Sequence, residues 1–424
     1  MQNQVYYLYI TGYLAKTVID SQVINWIELL DKNDIHFNLL TILTMKAFVK
    51  KRKDHIKKLK ITRSKISGKI FTVIYTSPRD KTSLGDFMVF LSMLIILFPI
   101  IIKKKQIIIQ TRTTNFLKPL LWIKKIYRKL GIIYDLRGVF AEEYLLANNE
   151  FNIKNVKNEK IKKIYHRKLN EQVKMVTNAN TTICVSHKLK EYILNRIDVD
   201  VSEKIVVIPG VADAKYFYFD KDERKKIRKN LGIENKIVLI YCGSLDRPWI
   251  ASELMFHLFK ELFNNIPNLY LFCISPDHDI AHELINKFGM NKNNVLCRYV
   301  NFFKINKYLS AADIGILLRE DMITNNVAAP TKFAEYLLAG LPVIISNNVG
   351  DFSEFTKKNN IGLVTNNQIN DILTKFPEFF IEKKYDRKDI MKYGYEYFSK
   401  QAYLSKMINL YNSVHMSKKY LLNK

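Results

Sequence analysis

Residues Pro330 to Ser346 read Pro-Thr-Lys-Phe-Ala-Glu-Tyr-Leu-Leu-Ala-Gly-Leu-Pro-Val-Ile-Ile-Ser, and this stretch decides the fold. Pro330 suits a helix start, while Gly340 and Pro342 end the helix that begins at Thr331. Val343 to Ile345 is a continuous apolar run with β-branched residues, the pattern of a strand buried on both faces. Helix, glycine stop and buried strand make an αβ half-unit of a parallel sheet. Thr331 and Lys332 occupy the first helical turn, where backbone N–H groups are free and the helix dipole is positive. Glu335 follows at a spacing that puts all three side chains on one face. Such a face suits a nucleotide diphosphate, with phosphates at the helix start and ribose hydroxyls on the carboxylate. The same spacing also fits a solvent-facing helix whose Lys332 and Glu335 only pair with each other.

Upstream of this stretch, Ile314 to Leu318 reads as a strand ending at Arg319, a second phosphate candidate whose alternative is a rim salt bridge to Glu320 or Asp321. Ile237 to Cys242 opens the second half and leads into Gly243-Ser244-Leu245-Asp246-Arg247. A glycine at a strand end followed by a helix, Ser252 to Phe263, marks a candidate phosphate turn offering Gly243, Ser244 and Arg247. Strands at Leu269 to Ile274 and Val295 to Tyr299 flank a helix at Ile280 to Phe288. With neither a Walker loop nor Gly-x-Gly-x-x-Gly, ATPase and dehydrogenase readings lose their main support.

The first half alternates in the same way: strand Val5 to Ile10, helix Ser21 to Leu30, strand Phe37 to Leu43. Gly12, after the first strand, stands where an α/β sheet places a loop against a ligand, or in an ordinary turn. Ile132-Ile-Tyr-Asp-Leu-Arg-Gly138 is a buried strand with a polar end, which makes Asp135 and Arg137 cleft candidates. Thr181 to Ser186 is the last strand of the half.

The Pro-x-Lys-x-x-Glu-Tyr and Gly-x-Pro-Val pattern of Pro330 to Ser346 resembles the donor-binding motif of retaining family-4 glycosyltransferases of the GT-B fold, in the bacterial surface-polysaccharide branch. Asp135-x-Arg137-Gly138 followed by Glu142-Glu143 resembles the same branch, as does the crossing Ile205 to Gly210. The resemblance implies that Glu335 holds the ribose and that the loop at Asp135 and Arg137 touches the donor sugar and its phosphate. Asp135, Arg137 and Lys332 are then the catalytic candidates. Relatives carry an earlier glutamate for the sugar; here that position is Val327, which leaves the sugar contact unassigned. The terminal helices of such enzymes cross back onto the first half.

At 424 residues the chain exceeds one ordinary core, and 48% hydrophobic content argues for a folded protein. The expected fold is α/β: two Rossmann-like domains facing across a cleft, an acceptor domain at 1–200 and a nucleotide-sugar domain at 201–384. Helices in 385–424 return to the first domain. Cys184, Cys242, Cys273 and Cys297 are far apart in apolar runs, which reads as reduced thiols of a cytosolic protein. Met1 to Ile10 lacks the basic start and cleavage site of a signal peptide. The pairs Asp198-x-Asp200 and Asp277-x-Asp279, with His278 and His282, lack a metal-site spacing, so no metal or further cofactor is expected.

Net charge is +27, and residues 1–200 hold 36 basic against 16 acidic side chains, so the excess lies in the first half. Lys50 to Lys69 alone has ten Lys or Arg and one acid. Phe87 to Ile102 is uncharged, shorter than the ~20 residues of a membrane span, and interrupted by Pro99. It reads as a buried helix or as one sunk into a lipid interface. Leu117 to Leu130, with Trp122, Lys124, Lys125, Arg128 and Lys129, is a basic amphipathic helix suited to a membrane surface. The resulting expectation is a glycosyltransferase, hexosyltransferase-like, moving sugar from a UDP- or GDP-linked donor to a lipid-linked or polysaccharide acceptor. It would work as a peripheral protein on the cytoplasmic face of an anionic membrane. The alternatives are a basic nucleic-acid-binding protein, for which charge stands alone, and a nucleotide-sugar epimerase on the same fold.

Overall fold

The computed structural model describes residues 4–11, 19–75, 83–115, 117–383 and 385–416. Its first sheet runs through β1 (Gln4–Thr11), β2 (Phe37–Thr44), β3 (Ile70–Tyr75), β4 (Gln106–Thr111), β5 (Leu130–Leu136), β6 (Thr181–Cys184) and β7 (Ile205–Val207). All pairings are parallel, in the order β3-β2-β1-β4-β5-β6-β7. The second sheet contains β8 (Ile237–Cys242), β9 (Leu269–Ile274), β10 (Val295–Arg298), β11 (Ile314–Leu317), β12 (Val343–Ser346) and β13 (Gly362–Thr365). Its order is β10-β9-β8-β11-β12-β13, again parallel throughout. These are two Rossmann-like domains. β5, β9 and β12 are buried along their whole length, as their unbroken apolar runs require. β3 escaped the sequence reading because it is a sheet-edge strand, only partly buried, that follows directly on the Lys50–Lys69 charge run.

Strand order reverses between β1 and β4 in the first sheet and between β8 and β11 in the second. At such a point neighbouring strands send their following helices to opposite faces, which leaves a crevice at their carboxyl ends. The domains meet beside these crevices. Ser186 Oγ donates to the Val327 carbonyl at 2.7 Å. Asp351 of the second domain accepts from the N–H groups of His187 (2.7 Å) and Lys188 (3.3 Å), capping a first-domain helix, His187–Leu194. Gly210 allows the joining segment to pass against the Ala329 carbonyl, where any Cβ would come within 2.0 Å of that oxygen.

The return crossing falls at Ser399 rather than at residue 385. The Arg387–Phe398 helix stays with the second domain, where Ile390 and Phe398 join its core. The Lys400–Met416 helix packs on the first, with Met407, Leu410, Tyr411 and Val414 against Trp26 and Phe37. Ala212 and Ser399 form a parallel bridge between the two connections. Lys400, just after it, is 1% exposed and donates to the Ser21 carbonyl at 2.6 Å.

Burial pushes Lys400 down from an ordinary 10.5 to about 7, with Asp213 opposing and Arg137 reinforcing the shift. Between those values the unfolded chain binds one proton more than the folded one, so stability rises with pH across that window and the gain is absent below about 7. Relative to Lys400→Met, the wild-type unfolding free energy should climb by up to about 1.4 kcal/mol per pH unit between about pH 7.5 and 9.5. Urea unfolding of both proteins at three pH values measures this, and parallel curves would refute it.

Candidate active site

The Thr331–Leu338 helix begins at the β8/β11 crevice with Pro330 as its N-cap. Pro330 has no side chain able to cap; the Phe333 N–H turns to the Pro330 carbonyl at 3.1 Å, which leaves the start of the turn, at Thr331 and Lys332, to face another acceptor. Gly340, at φ +73°, ends the helix: its N–H donates to the Leu337 carbonyl and that of Leu341 to Tyr336. Lys332 Nζ donates to Glu335 Oε2 at 2.7 Å, and Thr331 Oγ1 to Glu335 Oε1 at 3.3 Å. The sequence thus placed all three on one face correctly, and in this structure the lysine and glutamate pair. Glu335 is 3% exposed, whereas a quarter of the Lys332 side chain is open. Burial pushes Lys332 down, but the Glu335 carboxylate outweighs it and holds the ammonium above its ordinary range.

Arg319 follows β11 into the same crevice. Its N–H donates to Ser346 Oγ at 2.8 Å, and Nη1 reaches Asn325 Oδ1 at 3.3 Å. Nε is buried without a hydrogen-bond partner. No described carboxylate pairs with it, so the rim salt bridge to Glu320 or Asp321 does not form. Burial lowers its pKa below the ordinary range, a cost that a bound anion would remove. Tyr336 links the two strands: it donates to the Ile316 carbonyl at 3.3 Å and accepts from the Cys242 N–H at 3.0 Å.

The Gly243–Arg247 turn departs from expectation. Asp277 Oδ2 accepts from Ser244 Oγ (2.5 Å) and from the N–H groups of Leu245 (2.8 Å) and Asp246 (3.1 Å). A carboxylate of the chain itself therefore occupies the anion-binding turn. These donors outweigh desolvation and hold the Asp277 carboxyl below its ordinary value. Ser244 and the turn N–H groups are spent, and Arg247 is exposed beside Trp249. Among the described residues no group of three His, Cys, Asp or Glu side chains could hold a metal ion.

On the first sheet, Asp135 and Arg137 do come together. Arg137 grips Asp135 with two bonds, Nε at 2.6 Å and Nη2 at 3.1 Å. Arg112, missed in the sequence, completes the group from the end of β4, with Nε 3.4 Å from Asp135 and Nη2 donating to Gln22 at 2.5 Å. Register beside β5, with Thr111 opposite Tyr134, makes Arg112 a neighbour of Asp135. Gly12 lies outside the described residues. Val327, at the place of the family's first glutamate, is buried in the first domain's core. The two groups, Asp135–Arg137–Arg112 and Arg319–Lys332–Glu335, stand on separate sheets.

Residues 223–397 match the family model for glycosyl transferases group 1. No curated protein matches the chain in sequence. Among solved structures, sucrose-phosphate synthase from Thermosynechococcus elongatus superposes with a TM-score of 0.67 at 16% identity, covering 98% of this chain and 100% of that one. Anabaena Alr3699/HepE in complex with UDP gives 0.65 at 15% identity, covering 97% and 100%. WaaG, a glycosyltransferase involved in lipopolysaccharide biosynthesis, gives 0.60 at 13%, covering 94% and 99%. The fold is thus that of GT-B glycosyltransferase structures, most of the second domain is similar to group 1 glycosyl transferases, and the protein is a transferase.

Proposed function

We propose that this protein is a retaining glycosyltransferase that takes sugar from a UDP- or GDP-linked donor and passes it to a lipid-linked or polysaccharide acceptor in cell-surface glycan synthesis. The observation that carries the donor side is the open helix start at the β8/β11 crevice, with Lys332, Glu335 and the unpaired Nε of Arg319 around it. Glu335 accepts the ribose hydroxyls, and Lys332 turns from the carboxylate to the diphosphate as it binds. The lysine, the helix N–H groups and Arg319 then stabilise charge developing on the departing diphosphate. Arg137 and Asp135, on the first-domain wall of the cleft, touch the donor sugar and its phosphate and act with Lys332 as the catalytic residues. The UDP complex of the Anabaena neighbour and the lipopolysaccharide role of WaaG support this reading.

The site of work we propose is the cytoplasmic face of an anionic membrane. The Ser83–Ile102 helix is long and apolar enough to cross a membrane, yet only 22% of its apolar window is buried. Val89, Met93 and Leu97 enter the first core, while Leu84, Phe87, Leu91, Ile95, Phe98 and Ile102 form an exposed stripe on the other side, Ile95 at 73%. A helix that shares one face with the domain core lies along a bilayer rather than through it. Trp122 packs edge-on against Phe90, which puts exposed Lys125, Arg128 and Lys129 beside this helix. Two expected contacts are lost. Lys124 turns inward to the Asn178 carbonyl at 2.7 Å, with burial lowering its pKa. The Lys50–Lys69 run covers the opposite face of the sheet, where Leu59 joins the Trp26 core.

A thermal-shift panel of nucleotide-sugars tests the donor, since a ligand at ~100 times its dissociation constant adds about 2.7 kcal/mol. Glu335→Ala should weaken donor binding and Lys332→Ala should depress turnover, each by roughly ten- to a hundredfold. Wild-type turnover in both folded variants would remove this helix from the site. Isomerisation of the nucleotide-sugar without any acceptor would assign an epimerase instead, and binding of random oligonucleotides but no nucleotide-sugar a nucleic-acid protein.

For the membrane, the protein should sediment with anionic liposomes and partly release at high salt, because basic residues near the surface contribute about 1 kcal/mol each. Replacing Leu91, Ile95 and Phe98 with serine should abolish the salt-resistant fraction, and neutralising Lys125, Arg128 and Lys129 the salt-sensitive one. Equal binding to neutral and anionic vesicles, or to neither, would sink the docking surface.

A further inference from the structure

We propose that Asp277 is a resident anion holding the Gly243–Arg247 turn shut, and that the diphosphate of the donor opens the turn by displacing it. This regulation of the donor site rests on the transferase reading above; the contact itself does not. β9 pairs with β8, with Ile274 opposite Cys242, so the segment after β9 lies beside the turn after β8. There Asp277 Oδ2 alone accepts from Ser244 Oγ at 2.5 Å and from the N–H groups of Leu245 and Asp246 at 2.8 and 3.1 Å. A hydroxyl and successive backbone N–H groups converging on one oxygen are the donor set of a phosphate site.

The turn belongs to the crevice that holds Lys332 and Arg319. Ile250 forms an antiparallel bridge with Arg319, and the Trp249 carbonyl accepts from Asn325 Nδ2 at 2.8 Å, the side chain that also receives Arg319 Nη1. Ser244 and Asp277 are only half-buried, so a ligand can reach the contact from solvent. Desolvation is outweighed there by the turn donors and the nearby Arg247, which hold the Asp277 carboxyl below its ordinary range, so the resident group is an anion at neutral pH. A diphosphate brings more charge than one carboxylate and meets Lys332 and Arg319 as well, so exchange favours it. The displaced carboxylate has a second use. Asp277 is the N-cap of the His278–Lys287 helix, which receives no side-chain cap while the carboxylate is on the turn.

Calorimetric titration of the full chain with UDP tests the displacement. Asp277→Ser keeps a capping side chain but is too short and uncharged to hold the turn, and it should bind UDP roughly tenfold more tightly than the wild type. Asp279→Ser removes the same charge from an exposed neighbour, where salt screens it, and should leave UDP affinity within about twofold. Asp277→Asn, a neutral and weaker acceptor of the same shape, should tighten UDP to a lesser degree and serves if Asp277→Ser does not fold. In amide hydrogen exchange, the Leu245 and Asp246 N–H groups should be protected in the wild type, exposed in Asp277→Ser and protected again by UDP. Unchanged or weaker UDP binding by both Asp277 variants, equal tightening by Asp279→Ser, or UDP that leaves those two N–H groups exposed overturns the displacement. If neither the wild type nor the variants bind UDP, the donor reading fails, and titration with inorganic pyrophosphate decides the turn. Tighter pyrophosphate binding by Asp277→Ser then upholds the resident anion, and equal binding overturns it.

Discussion

A parallel strand covered on both faces disfavours charged side chains along its length, so they are driven to its ends. β5 and β12 of this protein follow that constraint, while the buried mid-strand Thr41 of β2 needs its hydroxyl bonded to the Phe71 carbonyl and Thr72. β12 carries its one polar residue, Ser346, at its carboxyl end, and β5 reserves Asp135 for its last turn of register before Arg137. Reversal of strand order then opens a crevice where those ends meet, and the donor-side group and the Asp135 group each occupy one. The buried bulk of each sheet supplies the rigidity on which these side chains stand.

The two crevices belong to one molecule because the chain crosses between domains twice. The segment that follows β7, up to Ala212, carries it over, and Ser399–Lys400 carries it back, bridged together at Ala212. Around this hinge the contacts are polar and capped: Asp351 on the His187 helix, Ser186 on Val327. The Lys400 amine is taken out of water there beside one carbonyl and an aromatic face, and burial lowers its pKa to about 7.

The sequence determined most of the alternation of strands and helices in both halves, the edge strands β3 and β13 excepted, because apolar runs and helical spacing are local properties. It determined the Thr331 helix, its stop at Gly340, and the shared face of Lys332 and Glu335, since spacing on a helix follows from its pitch alone. Asp135 and Arg137 were legible for a similar reason, two positions apart at the end of a buried strand. Tertiary structure decided everything that depends on what stands opposite. Asp277 fills the Gly243 turn from thirty-odd residues away in the chain, an occupancy that no local pattern encodes. Arg112 becomes part of the Asp135 group only through the β4–β5 register. The Ser83–Ile102 helix has one apolar composition, but packing chose Val89, Met93 and Leu97 for the core and left Ile95 outside. Lys124 and its neighbour Lys125 are chemically the same residue, and only Lys124 faces inward, to the Asn178 carbonyl and Asn180 Oδ1. A side chain's type is written locally; its partner is set by the fold.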